Sequence, residues 1–157
     1  MNVAVLGSGG GALAVAADLA YAGRDVVMAD LPEFVANLEP VRQQGGVRVV
    51  AGLYGIRIEP VRVADGVGEA VEGSELVIVV VPCFGHEPYM RVLTPLLEDD
   101  RSLLFFGEGS GSLVARLALA GAGKQGVRVG ETNTLPYLAR PAGPGGVTAD
   151  RKIGGVL

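Results

Sequence analysis

The sequence has one cysteine, one histidine and no tryptophan in 157 residues, and only 19% of its residues are charged. A lone Cys83 cannot form an internal disulfide and fits a reducing compartment. With so few Cys and His residues, no cluster has metal-ligand spacing, and no serine nucleophile sits beside a credible base. The net charge of −4 provides no electrostatic basis for binding nucleic acid or an anionic membrane. No run approaches the roughly 18 apolar residues a membrane span requires, and Met1-Asn2-Val3 lacks the basic start of a secretory signal. These absences leave a cytoplasmic protein with a small soluble ligand as the expectation. An apolar content of 49% excludes disorder, and the length suits one domain.

What the sequence has is glycine, 25 residues of it, and the placement of the first few is informative. Val3-Ala4-Val5-Leu6 reads as a strand that runs directly into Gly7-Ser8-Gly9-Gly10-Gly11-Ala12. Gly7, Gly9 and Ala12 then fill the three small-residue positions of a G-x-G-x-x-G/A turn. An alanine-rich helix follows over 12–22, with Gly23 closing it. The next apolar run, 25–30, ends on an acid, Asp30. Strand, glycine turn, helix, strand and acid in this order point to a dinucleotide site. The backbone N–H groups from Ser8 to Ala12 would face a pyrophosphate, and Asp30 would accept hydrogen bonds from the adenosine ribose while repelling a 2′-phosphate. The expected cofactor is therefore NAD rather than NADP.

The remainder alternates between strands and helices. Pro32 opens a helical segment whose buried face is Phe34, Leu38 and Val41, and Pro40 is expected to kink or end it before Gly45-Gly46. Residues 47–50 and 56–58 read as a hairpin insertion that leads into a strand at 61–63. Asp65 is placed to cap a short helix carrying Val67 and Val71. Leu76–Val81 is a continuous apolar run, as in a strand covered on both faces, and is predicted to be central. A helix from about Glu87 or Pro88 to Leu97, a strand at 103–106, a helix at 113–119 and a strand at 127–130 complete the pattern. The fold class is α/β, a Rossmann-type doubly wound sheet of about six mostly parallel strands with a small hairpin insertion. Residues 1–140 form the predicted domain, and the Gly/Pro-rich segment 141–157 reads as a tail.

Open α/β sheets bind ligands beyond the carboxyl ends of their central strands, which brings Val81, Pro82 and the loop to His86 beside the cofactor. His86 is open to two readings, an acid, base or substrate-holding group, or a helix-capping or surface residue. Cys83 reads as buried filler rather than a reactive thiol. The loop containing Glu108 either cradles the nicotinamide side or substrate, which makes Glu108 a substrate-side candidate, or is an ordinary glycine-rich turn. Polar side chains, Asn133 and Thr134 among them, crowd the end of the last strand and form a candidate substrate side.

Three motifs carry a family resemblance: Gly7-Ser8-Gly9-Gly10-Gly11-Ala12, Val80-Val81-Pro82 with His86, and Glu131-Thr132-Asn133-Thr134-Leu135-Pro136-Tyr137 with Arg140. Together they resemble the N-terminal domain of octopine/nopaline-type opine dehydrogenases, through about residue 140. The resemblance implies NAD binding and the reductive condensation of a 2-oxo acid with an amino acid. Members of that family commonly carry Asn where this chain has Gly10. They also have a second, helical domain that binds substrate and contributes the catalytic histidine and its acid partner. Nothing here matches those residues, so no catalytic role passes to His86, and 141–157 is expected to begin that absent domain. Ketopantoate-reductase-like and glycerol-3-phosphate-dehydrogenase-like domains share the fold but account poorly for residues 131–140. The rival expectation is a stand-alone NAD-binding or redox-sensing module that self-associates as a homodimer or joins a partner chain.

Overall fold

The structure is a computed structural model that describes residues 1–52, 55–107 and 109–152, with the side chains of 151 and 152 excluded. Ten strands and five helices follow one another along these residues. The first half contains β1 (Asn2–Leu6), α1 (Gly10–Tyr21), β2 (Asp25–Ala29), α2 (Glu39–Gln44), β3 (Gly46–Gly52), β4 (Arg57–Pro60), β5 (Arg62–Val63) and α3 (Val67–Val71). The second half contains β6 (Leu76–Val79), α4 (His86–Leu96), β7 (Ser102–Phe105), α5 (Gly111–Gly121), β8 (Arg128–Glu131), β9 (Tyr137–Pro141) and β10 (Gly146–Lys152).

Six strands form a wholly parallel sheet in the order β5-β2-β1-β6-β7-β8. The chain builds outward from β1 to one edge and returns to build from β6 to the other. This bears out the doubly wound expectation, with Leu76–Val79 at the centre as its apolar run predicts. Period-two alternation sorts the side chains: Val3 and Val5 enter one core, while Ala4 and Leu6 enter the other. Helices α3, α4 and α5 cover the second face through residues such as Val71, Leu93 and Leu119.

The first face carries α1, and α1 is itself covered. Its outer side packs under a second, four-stranded sheet in the order β4-β3-β10-β9. A helix between two sheets has no solvent stripe, and Ala12, Ala14, Ala16 and Ala17 are accordingly all buried. Small side chains let both sheets approach its backbone.

The second sheet corrects the tail reading. The predicted hairpin is present as β3 and β4, but residues 146–152 pair with β3 in parallel and with β9 antiparallel. The Gly/Pro-rich turn between β9 and β10 is held by side chains from α2 and β3. Gln44 donates to the Gly145 carbonyl (2.8 Å), and Arg48 donates to that of Ala142 (3.2 Å). Residues 153–157, the end of the expected tail, lie outside the described residues.

Three local expectations change. Pro40 starts α2 rather than ending a helix, because a proline in the first turn forfeits no intrahelical bond. Phe34 is 49% exposed while Leu38 and Val41 are buried, since a 3-10 turn at 35–38 rotates Phe34 outward. Asp65 does not cap α3. Its backbone N–H donates instead to Glu69 (2.7 Å), and its carboxylate pairs with Arg42 (3.0 Å).

Candidate functional site

The order of strands reverses between β1 and β6, and a cleft of about 390 Å³ opens there at their carboxyl ends. Its floor is the glycine turn. Gly7 has φ +122°, and a Cβ on it would lie 2.6 Å from the Val80 carbonyl oxygen, so only glycine fits. Its N–H donates to the Ala29 carbonyl (2.9 Å), which ties the turn to β2. Gly9 is the N-cap of α1, and nothing lies within 4 Å of its Cβ position. The helix starts there with no side-chain cap and no acid in its first turn. Its unpaired N–H groups and the positive end of its dipole therefore meet no internal anion.

The glycines that follow serve packing. A Cβ on Gly10 would lie 2.9 Å from Pro141 Cδ, and one on Gly11 would lie 3.0 Å from a Leu135 methyl. The cluster is thus open at Gly9 and closed by β9 and its approach at Gly10 and Gly11. Ala12 is fully buried beneath it.

Asp30 closes the cleft at the end of β2 and is 4% exposed. Its Oδ1 accepts from the Leu31 N–H (2.8 Å) and from the Tyr89 hydroxyl. Its Oδ2 takes no hydrogen bond from the described residues and is not fully buried. The walls are largely apolar, formed by Leu31, Val80, Val81, Pro82 and Pro88, with Phe34 and Phe84 at the rim. Glu33 is the second acid, and no Lys or Arg lines the cleft among the described residues. Burial, reinforced by the hydrogen bond to Asp30 and that carboxylate's charge, holds the Tyr89 phenol far above its ordinary range.

The structure thus brings Ser8, Gly9, Asp30, Val81 and Pro82 to one cleft. It places the substrate-side candidates His86, Asn133 and Thr134 elsewhere. His86 begins α4 at 3% exposure, its ring edge-on to Phe105 at 5.1 Å, and its Nδ1 has no hydrogen-bond partner among the described residues. It is neither a surface residue nor a side-chain cap. Asn133 lies in a second, open depression of about 410 Å³ with Gly109, Ser110, Glu131 and Thr132. The Thr134 carbonyl accepts from the Thr132 hydroxyl (2.8 Å), which orders the turn after β8. Glu108 lies outside the described residues. Cys83, read as buried filler, is exposed, because the residues after Pro82 form a surface 3-10 turn.

Two side-chain contacts escape a sequence reading. Tyr89 has only a weak signal, an aromatic hydroxyl among the aliphatic residues that α4 buries. Glu131 caps α5 from a distance, accepting from the Gly111 and Ser112 N–H groups (3.1 Å each) and the Ser112 hydroxyl (2.6 Å). Ser110, the local N-cap, is left-handed and makes no such bond. Among the described residues, no group of three His, Cys, Asp or Glu could hold a metal ion, and no helix is long and apolar enough to cross a membrane.

The fold and cleft define a Rossmann-type α/β domain with an open glycine turn at its strand-order switch. In sequence, the chain resembles the amino-terminal part of opine dehydrogenases. It is 28% identical over 149 residues to an opine dehydrogenase of Arthrobacter sp. (strain 1C), covering 94% of this chain and 41% of that protein. A solved octopine dehydrogenase in complex with NADH and agmatine shares the fold at 23% identity and a TM-score of 0.79, over 97% of this chain and 40% of that one. A PanE/ApbA family ketopantoate reductase from Ralstonia eutropha JMP134 aligns at 22% identity and a TM-score of 0.73, over 95% and 46% of the respective chains. No protein-family model matches. The chain spans about two fifths of the length of the opine dehydrogenase relatives.

Proposed function

We propose that this chain is the NAD(H)-binding domain of an opine-dehydrogenase-like oxidoreductase that acts in the cytoplasm. The observation that carries the reading is the uncapped start of α1 at Gly9, open to a cleft that Asp30 closes. The donor set fits the cofactor. Amides from Ser8 to Ala12 would hold the pyrophosphate at the helix N-terminus, where backbone donors and dipole act together. Asp30 Oδ2 would accept from the adenosine ribose, and two acids with no base in the cleft among the described residues disfavour a 2′-phosphate. Val81 and Pro82 would pass along the cofactor toward its nicotinamide end.

NADH held there would supply a hydride, and Ser8 to Ala12, Asp30, Val81 and Pro82 would bind and orient it. The activity proposed for the whole protein is reduction of the imine formed from a 2-oxo acid and an amino acid. Its catalytic acid and base belong to a substrate domain or partner chain, and the depression at Glu131 and Asn133 is the face we assign to the substrate side. None of the relatives named above is a stand-alone sensing module.

Titration of the 157-residue chain with NADH and with NADPH, followed by nicotinamide fluorescence, tests the reading. We expect saturable NADH binding, weaker NADPH binding, and a narrowed gap between them in Asp30→Ala. No binding of either nucleotide would overturn it.

A further inference from the structure

Tyr89 lies in the hydrophobic core beneath the cleft and is 2% exposed, yet its hydroxyl reaches Asp30, 59 residues away in sequence. The same carboxylate oxygen, Oδ1, accepts the Leu31 N–H at 2.8 Å. Two fixed donors therefore converge on one oxygen, one on the backbone and one on a side chain clamped inside α4. A carboxylate held this way cannot swing about its χ angles, and its second oxygen points where the first does not. That second oxygen, Oδ2, has no hydrogen-bond partner among the described residues and is not fully buried, and Asp30 lines the cleft.

We propose that Tyr89 is a positioning residue for cofactor recognition: its hydroxyl fixes the Asp30 carboxylate so that Oδ2 alone is offered to the adenosine ribose diol. This rests on the NAD(H) reading above and adds a residue to it. A hydroxyl donates well to a carboxylate oxygen only over a narrow range of distances and angles, so the direction in which Oδ2 is held decides the contact. Without the phenol, Oδ1 keeps only the Leu31 N–H, and the carboxylate is held by one donor instead of two. The cost then falls on the ribose contacts and not on the pyrophosphate cradle, which Tyr89 does not touch.

The experiment compares NADH with its 2′-deoxyadenosine analogue on the full 157-residue chain, in wild type, Tyr89→Phe, Asp30→Asn and the double variant. Wild type is expected to prefer NADH by about tenfold, the scale of one charge-assisted hydrogen bond. Tyr89→Phe is expected to weaken NADH about five- to tenfold and leave the analogue nearly unchanged, so that the preference collapses. In the Asp30→Asn background, removing the phenol is expected to have no further effect. If Tyr89→Phe weakens both ligands equally, or weakens neither, the positioning role is overturned while the NAD(H) reading stands. If wild type binds neither ligand, both are overturned. A melting curve of unliganded Tyr89→Phe that retains the wild-type transition establishes that the folded protein is being measured.

Discussion

The Tyr137 hydroxyl donates to Asp18 in a pair buried between β9 and α1, spanning 119 residues of sequence. Asp18 is the one acid in α1, set among alanines, and Tyr137 begins the edge strand of the second sheet. The bond fastens that sheet to the helix bearing the glycine turn. Tyr137→Phe removes a donor from a buried carboxylate, a loss that costs about 1–3 kcal/mol. Urea unfolding is expected to show a lower midpoint at unchanged slope. An unchanged midpoint would mean that the sheet is held without this bond.

Gly9 and Gly10 are adjacent but are predicted to fail in opposite ways. Gly9→Ala places a methyl in open space at the proposed cradle and is expected to cost under about 1 kcal/mol of stability while sharply weakening NADH. Gly10→Ala drives a methyl against Pro141, and overpacking of this kind costs roughly 1–3 kcal/mol. Parallel melting curves and NADH titrations separate the two. Equal behaviour of the variants would contradict the division of the cluster into an open and a packed part.

Glu131 gives a pH signature. Burial pushes its carboxyl up, but hydrogen bonds from the Ser112 hydroxyl and from the Ser112 and Gly111 N–H groups outweigh that, and the nearby His86 acts in the same direction as these bonds. The carboxyl sits below its ordinary value of 4.5. A carboxylate with a lowered folded-state value contributes stability in full above its unfolded-state value and loses it as pH falls through the folded one. Glu131→Gln is therefore expected to be about 1 kcal/mol less stable than wild type at neutral pH, the scale of a helix cap. The gap closes as acid protonates the wild-type carboxyl. A gap of the same size at pH 7 and pH 3 would exclude the charged cap.

At the alkaline end, burial leads and the neighbouring carboxylates add to it, raising the phenols of Tyr89 and Tyr137 far above their ordinary 10.0. A raised folded-state value contributes stability that is complete below the unfolded one and is lost as pH rises through the folded one. An absorbance titration near 295 nm is expected to show these two of the four tyrosines ionising only as the fold is lost. Four phenols titrating near pH 10 in folded protein would contradict both buried pairs.

The main sheet was readable because its signals are local. Leu76–Val79 is apolar throughout because both of its faces are covered, and Gly7 marks the turn because no other residue tolerates its φ. The second sheet was half readable. Its hairpin is local, but β10 pairs with β3 across about 100 residues, and its Gly/Pro-rich approach is indistinguishable from a tail until Gln44 and Arg48 bind its carbonyls. The same limit applies to the cleft. Gly9 and Asp30 follow from spacing, whereas Tyr89 reaches Asp30 only because α4 lies where the sheet puts it. Periodicity likewise does not reveal that the turn after Pro82 turns Cys83 out and His86 in.

Helix α1 has no face of its own to give to solvent. Its amide protons are therefore expected to be among the slowest to exchange, and a nucleotide would find its donors already aligned, with no ordering cost left to meet. The same confinement couples what the helix touches. Grip on its first turn is grip on both sheets, so nucleotide binding is expected to slow exchange in β9 and β10, strands remote from Asp30 in the chain and on the opposite side of the helix from the six-stranded sheet.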